Sequence, residues 1–172
     1  MNSNGILTRL SEGKLGIISK FINFDAIVPF KTRFELEKEY QPEYLLTIRS
    51  YLAPNGSVKA MLNIYDLDYG EMISNENNLV TKNNISLPEV NDACLIESGI
   101  EEFSLMQVFA LATKKGISFV TLEMIKDSGA SKFEVLVIGT ELVEYIAVRG
   151  ISPGYVAGCT ASGHLTIHHI ES

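Results

Sequence analysis

Two apolar faces that match across a tight turn constrain this chain more than any other feature. Leu46, Ile48, Ser50 and Leu52 fall on one side of an alternating run, with Thr47, Arg49 and Tyr51 on the other. Successive side chains of a strand point to opposite faces, so the run predicts a half-buried strand. Pro54-Asn55-Gly56 follows as a hairpin turn, and Val58, Ala60, Leu62 and Ile64 supply the matching apolar face. A hairpin with one apolar side must cover that side with another layer, which points to a mainly β domain.

Similar reasoning extends along the chain. Val120-Thr121-Leu122-Glu123-Met124 reads as a strand carrying one acid, Asp127 to Ser131 reads as a turn, and strands are expected over 133–138 and 142–148. Upstream, 15–18 is extended, 26–28 is a strand stopped by Pro29, 32–36 is a strand, and Tyr40-Gln41-Pro42-Glu43 is a turn. Residues 6–12 read as a short helix or turn ending near Gly13, and the Asn-rich stretch 74–84 as a loop. One helix is expected over 99–115. Ser98 and Glu101 have capping-box spacing, Ile100, Phe103, Val108, Leu111 and Ala112 form a stripe, and Gly116 ends it.

The 172 residues suffice for one domain, 1–172, with a real core, and an apolar content of 46% marks a globular chain. No apolar run of about 18 residues appears, so no membrane association is expected. With a net charge of −7 and no basic cluster, the chain is a poor partner for a long nucleic acid. A small nucleotide stays open, because a few Arg, Ser and backbone N–H groups can hold a triphosphate. Cys94 and Cys159 are too few for a disulfide framework and suggest a cytoplasmic setting.

Four pieces of the chain, in order, resemble the dCTP deaminase and dUTPase superfamily. They are 6–17 with its Gly13-Lys14-Leu15 turn, 33–45 with Pro42-Glu43, Arg49-Ser50-Tyr51-Leu52-Ala53, and Val120-Thr121-Leu122-Glu123 followed by 135–139 and Leu142-Val143. Ile64-Tyr65-Asp66-Leu67-Asp68-Tyr69-Gly70 is similar to a dUTPase motif displaced upstream, which would make 75–116, with its helix, an insertion. The resemblance implies a dUTPase-like distorted β-barrel with one inserted helix, assembled as a homotrimer with sites between subunits. It implies action on a pyrimidine deoxynucleoside triphosphate, as a dCTP deaminase or a dUTP pyrophosphatase, with Mg2+ and without zinc. Glu123 or Asp66 would activate water, Arg49 and Ser50 would bind phosphate, and Tyr69 would pack on the sugar.

Other features point to a catalytically inactive binding or assembly relative. The family's Ser-x-Asp-Leu motif has no counterpart around 23–28, Pro54 stands where the deaminases carry a second arginine, and Thr113 to Ile117 replaces the Ile-Asp-x-Gly-Phe segment. Each site residue also has a plain reading. Glu123 and Arg49 are ordinary on the wet face of a strand, and Asp66 and Asp68 suit a solvated loop. Cys159 with His164 could form a thiol dyad, but small free cysteines more often pack in cores. His164 and His168 share a strand face roughly 13 Å apart, too far for one metal.

Overall fold

A computed structural model describes residues 3–11, 14–31, 43–66, 79–96, 106–124, 131–137 and 141–170; for 3–11, 14–24, 31, 43, 66, 79–84, 106, 123–124 and 131–137 it describes the backbone alone. The described elements are all strands: β1 (Ser3–Ser11), β2 (Lys14–Phe24), β3 (Ala26–Lys31), β4 (Glu43–Leu52), β5 (Val58–Asp66), β6 (Leu79–Ile85), β7 (Val90–Ile96), β8 (Met106–Thr113), β9 (Gly116–Met124), β10 (Ser131–Val137), β11 (Tyr145–Ser152), β12 (Tyr155–Thr160) and β13 (Leu165–His169). The protein is mainly β. β1 and β2 form a hairpin, and three antiparallel meanders follow, ordered β3-β4-β5-β6, β7-β8-β9-β10 and β11-β12-β13. Each of these sheets is open, so no closed barrel forms among the described strands.

The matched hairpin is β4 and β5, in register from Tyr44 opposite Asp66 to Leu52 opposite Val58. Its apolar face, Leu46, Ile48, Ala60, Leu62 and Ile64, is fully buried against Phe109, Leu111, Val120 and Leu122 of the second sheet. The opposite face of that second sheet is buried too. Cys94, Ile96, Val108, Ala110, Ala112 and Ile117 pack with Tyr145, Val148 and Val156 of the third. The β7–β10 sheet is therefore a middle layer with no wet side in its centre. β3 runs beside β7 at one corner of the first pair of sheets, and β6 beside β10 at the other.

This layering corrects the expected helix over 99–115. Residues 106–113 are strand β8, and 97–105 lie outside the described residues. Every position from Val108 to Ala112 is buried. A stretch apolar at every position fits a period of 3.6 as readily as a period of 2, so the helical stripe was an accident of two-sided burial. Gly116, the supposed helix stop, adopts φ +92° at the β8–β9 turn, a conformation glycine takes without strain. The span 75–116 thus supplies β6, β7 and β8, integral strands of two sheets.

Three local readings also change. Residues 6–11, expected as helix or turn, are strand β1, paired with β2 from Ser11 opposite Lys14 onward. The supposed loop 74–84 contains most of β6, because Ala60 to Tyr65 of β5 offer it a pairing partner. Pro29 does not end its strand. It sits inside β3, the outermost strand of its sheet, where a missing N–H costs no ladder bond on the open side. The strand expected over 32–36 and the turns at 40–42 and 127–130 lie outside the described residues.

Phe109 joins the first two sheets. It is fully buried and meets the Phe30 ring edge-on at 5.4 Å. Phe109→Ala should cost about 3–5 kcal/mol of stability, read from the shift of the urea midpoint at unchanged slope. A loss below about 1 kcal/mol would mean the middle layer does not depend on it.

Candidate functional site

Arg49 lies on β4 opposite Met61, and it is exposed on the face turned away from Leu46 and Ile48. Ser50 is committed to the scaffold. Its N–H donates to the Asp25 carboxylate, and its Oγ accepts from the Val90 N–H at 2.9 Å. One residue thereby joins the start of β3, the hairpin and the start of β7. Glu123 is in β9, opposite Met106 and Lys132, and Asp66 is the last residue of β5, opposite Tyr44. The side chains of Glu123 and Asp66, and all of Tyr69, lie outside the described residues. The strands carrying Arg49 and Glu123 belong to different sheets, and Arg49 leaves its sheet on the side away from the shared core.

A second polar feature shares the outer face of β4 and β5. Asn63 pairs in register with Thr47, one step diagonally from Arg49. Its Oδ1 is buried with no hydrogen-bond partner among the described residues. Buried polar atoms are nearly always satisfied, so this oxygen is an acceptor that the described residues leave unmet.

The thiol dyad does not form. Cys159 is half-buried on β12 between Ala147 and Leu165, and its thiol donates to the Thr160 carbonyl at 3.6 Å. His164 is held instead by Ser162, Oγ to Nδ1 at 2.9 Å, within the β12–β13 turn. Burial pushes the Cys94 thiol up to about 11. His168 joins Thr166 at 2.7 Å and the buried Tyr145 hydroxyl at 3.4 Å, while His169 stacks on Tyr155 at 4.4 Å. Among the described residues no three His, Cys, Asp or Glu side chains are grouped to hold a metal ion.

The third sheet is tied down by side chains of β7. Asp92 accepts from the Val148 N–H at 3.0 Å and from Arg149 Nη1 at 2.6 Å, and Asn91 donates to the Tyr145 carbonyl at 2.8 Å. Asn91 also reaches Glu144 at 3.1 Å, and Lys114 reaches Glu144 at 2.8 Å. The Lys114 ammonium, then Asn91, holds the Glu144 carboxyl below the usual glutamate range. Gly150 lets the strands close, since a Cβ there would sit 2.9 Å from the Leu95 carbonyl oxygen.

Sequence reasoning missed the far side of this sheet. Five of the nine large apolar side chains exposed among the described residues lie on β11–β13, Ile146, Ile151, Tyr155, Leu165 and Ile167, with Leu165 at 72% and Ile167 at 64% exposure. From Tyr145 to Ile170 the chain has no Asp, Glu or Lys. That charge gap was a usable signal, hidden because the segment reads as ordinary core-forming strands.

Compared with known proteins, the chain matches no family model and no curated protein.

Two measurements check these environments. A thiol reagent at mildly alkaline pH should modify Cys159 in the native protein and Cys94 only after denaturation, followed by mass spectrometry; native modification of Cys94 would refute its burial. The lowered Glu144 carboxyl contributes stability above the ordinary glutamate range, and this is lost as pH falls through the folded-state value. Glu144→Gln should flatten that acid limb of the urea-midpoint profile, and an unchanged limb would remove Glu144 from it.

Proposed function

We propose that this chain is a non-catalytic binding or assembly module whose working surface is the outward face of β11–β13. One observation carries this reading: exposed apolar side chains concentrate on a face free of acids in a chain of net charge −7. Contiguous exposed apolar surface marks interaction sites, and interface centres are depleted of charge. Two free cysteines suit a cytoplasmic setting, and no helix among the described residues is long and apolar enough to cross a membrane.

The unsatisfied Asn63 oxygen beside the exposed Arg49 favours a second reading, a dUTPase-like enzyme on a pyrimidine deoxynucleoside triphosphate. Arg49 would meet phosphate and Asn63 an amino or imino group. Glu123 or Asp66 from another subunit of a homotrimer would act on water, and Tyr69 would pack on the sugar. Mg2+ would arrive with the triphosphate, whose oxygens and water would supply most of its ligands.

A thermal-shift titration separates the two. The assembly reading expects no shift from any deoxynucleoside triphosphate with magnesium. A ligand at 100 times its dissociation constant adds about 2.7 kcal/mol, which a melt resolves. A shift of that size that Arg49→Ala abolishes would replace the assembly reading with the nucleotide one.

A further inference from the structure

The partner of this surface can be read from the hydrogen bonds of β13. The Thr160 N–H donates to the His164 carbonyl and the Ile170 N–H to the Gly154 carbonyl, both at 2.9 Å. In an antiparallel pair, residues bonded to one neighbour alternate with residues facing the other side. The even positions of β13, Thr166 and His168, therefore bond to β12. The N–H and C=O groups of Leu165, Ile167 and His169 point away from β12 to an edge that is open among the described strands, where the sheet order ends at β13. The side chains of these same three residues are the exposed ones, opposite Cys159, Ala157 and Tyr155.

This edge lacks the usual guards against pairing. β13 carries no Pro and no Lys, and its pairing with β12 runs without a bulge. It is also self-complementary. Turned about a two-fold axis at Ile167, one copy sets Ile167 against Ile167 and Leu165 against His169. All three positions are edge-facing, so every open N–H and C=O meets a partner. Leu165 and Ile167 then continue the outer apolar face from one copy into the next. Charge selects the occupant. Two copies of a chain of net charge −7 repel over most approaches, and the acid-free Tyr145–Ile170 segment is where that repulsion is least.

We infer that two copies of this chain pair antiparallel through β13, joining their three-stranded sheets into one continuous six-stranded sheet. This rests on the assembly-module reading and names its partner. The contact is isologous, so it closes on two copies and cannot build a three-fold ring by itself.

Sedimentation velocity from micromolar to submillimolar concentration tests it. The wild-type chain should pass reversibly from monomer to dimer. Ile167→Pro removes only an N–H that faces the open edge, where proline is tolerated, and should raise the dimer dissociation constant roughly tenfold or more. Ile167→Lys should do the same through charge, while Leu52→Lys, at an exposed position on another sheet, should leave it unchanged. Circular dichroism confirms that each variant is folded, and the two Ile167 variants cover for one another if one is not. A monomer throughout, a trimer, or a dimer indifferent to both Ile167 variants would overturn the pairing. The nucleotide titration has a separate readout, a melting shift that Arg49→Ala abolishes, and would still decide whether the chain is a module or an enzyme.

Discussion

The fold depends on one sheet that must be dry on both sides. In β8, Phe109 and Leu111 fill the core shared with the first sheet, while Val108, Ala110 and Ala112 fill the core shared with the third. The division of sizes follows from what each side packs against. Large side chains meet the open apolar face of the β4–β5 hairpin, and small ones let the third sheet approach closely. Burial of a large apolar side chain is worth about 1.5–3 kcal/mol. Loss of either outer layer would therefore expose one whole face of the middle sheet, and the three layers stabilise one another.

Polar contacts place the layers more than they hold them. Ser50 fixes the hairpin against β3 and β7 through two backbone-directed bonds. Asp92 and Asn91 do the same for β11, accepting from and donating to main-chain groups that an open edge would leave to water. The Arg149–Asp92 pair adds little by itself, because Arg149 is 69% exposed and screened. Its use is directional: it sets which register of β11 faces β7. These side-chain bonds close the β11 edge of the third sheet, while its β13 edge remains open.

That asymmetry bears on function. The third sheet turns one face to the core and leaves the other, apolar and without acids, to solvent. The polar candidates lie elsewhere, on the outer face of the first sheet around Arg49 and Asn63 and in β9 at Glu123. Arg49 and Glu123 belong to different sheets of the chain. The two functional readings differ in which face meets the partner.

How much was legible depended on how many faces each strand buries. The β4–β5 hairpin was readable to its register, because one face is apolar, the other polar, and Pro54-Asn55-Gly56 fixes the turn. The mainly β class followed from the same alternation. Strand β8 was misread because burial on both faces erases the alternation, and only the tertiary neighbours distinguish a doubly covered strand from a helix. Pro29 was read as a stop because a sequence does not say which strand lies at a sheet edge. Residues 79–84 looked like a loop because their strand character comes from pairing with β5 and not from their own composition. The sequence by itself determined the residue types at the candidate site and the absence of acids from Tyr145–Ile170. Tertiary structure alone decided that Arg49 and Glu123 lie in different sheets, that the Ser50 Oγ accepts from the Val90 N–H, and that Leu165 and Ile167 face water. Those outcomes depend on which layers stack on which faces, and side chains distant in sequence set that stacking.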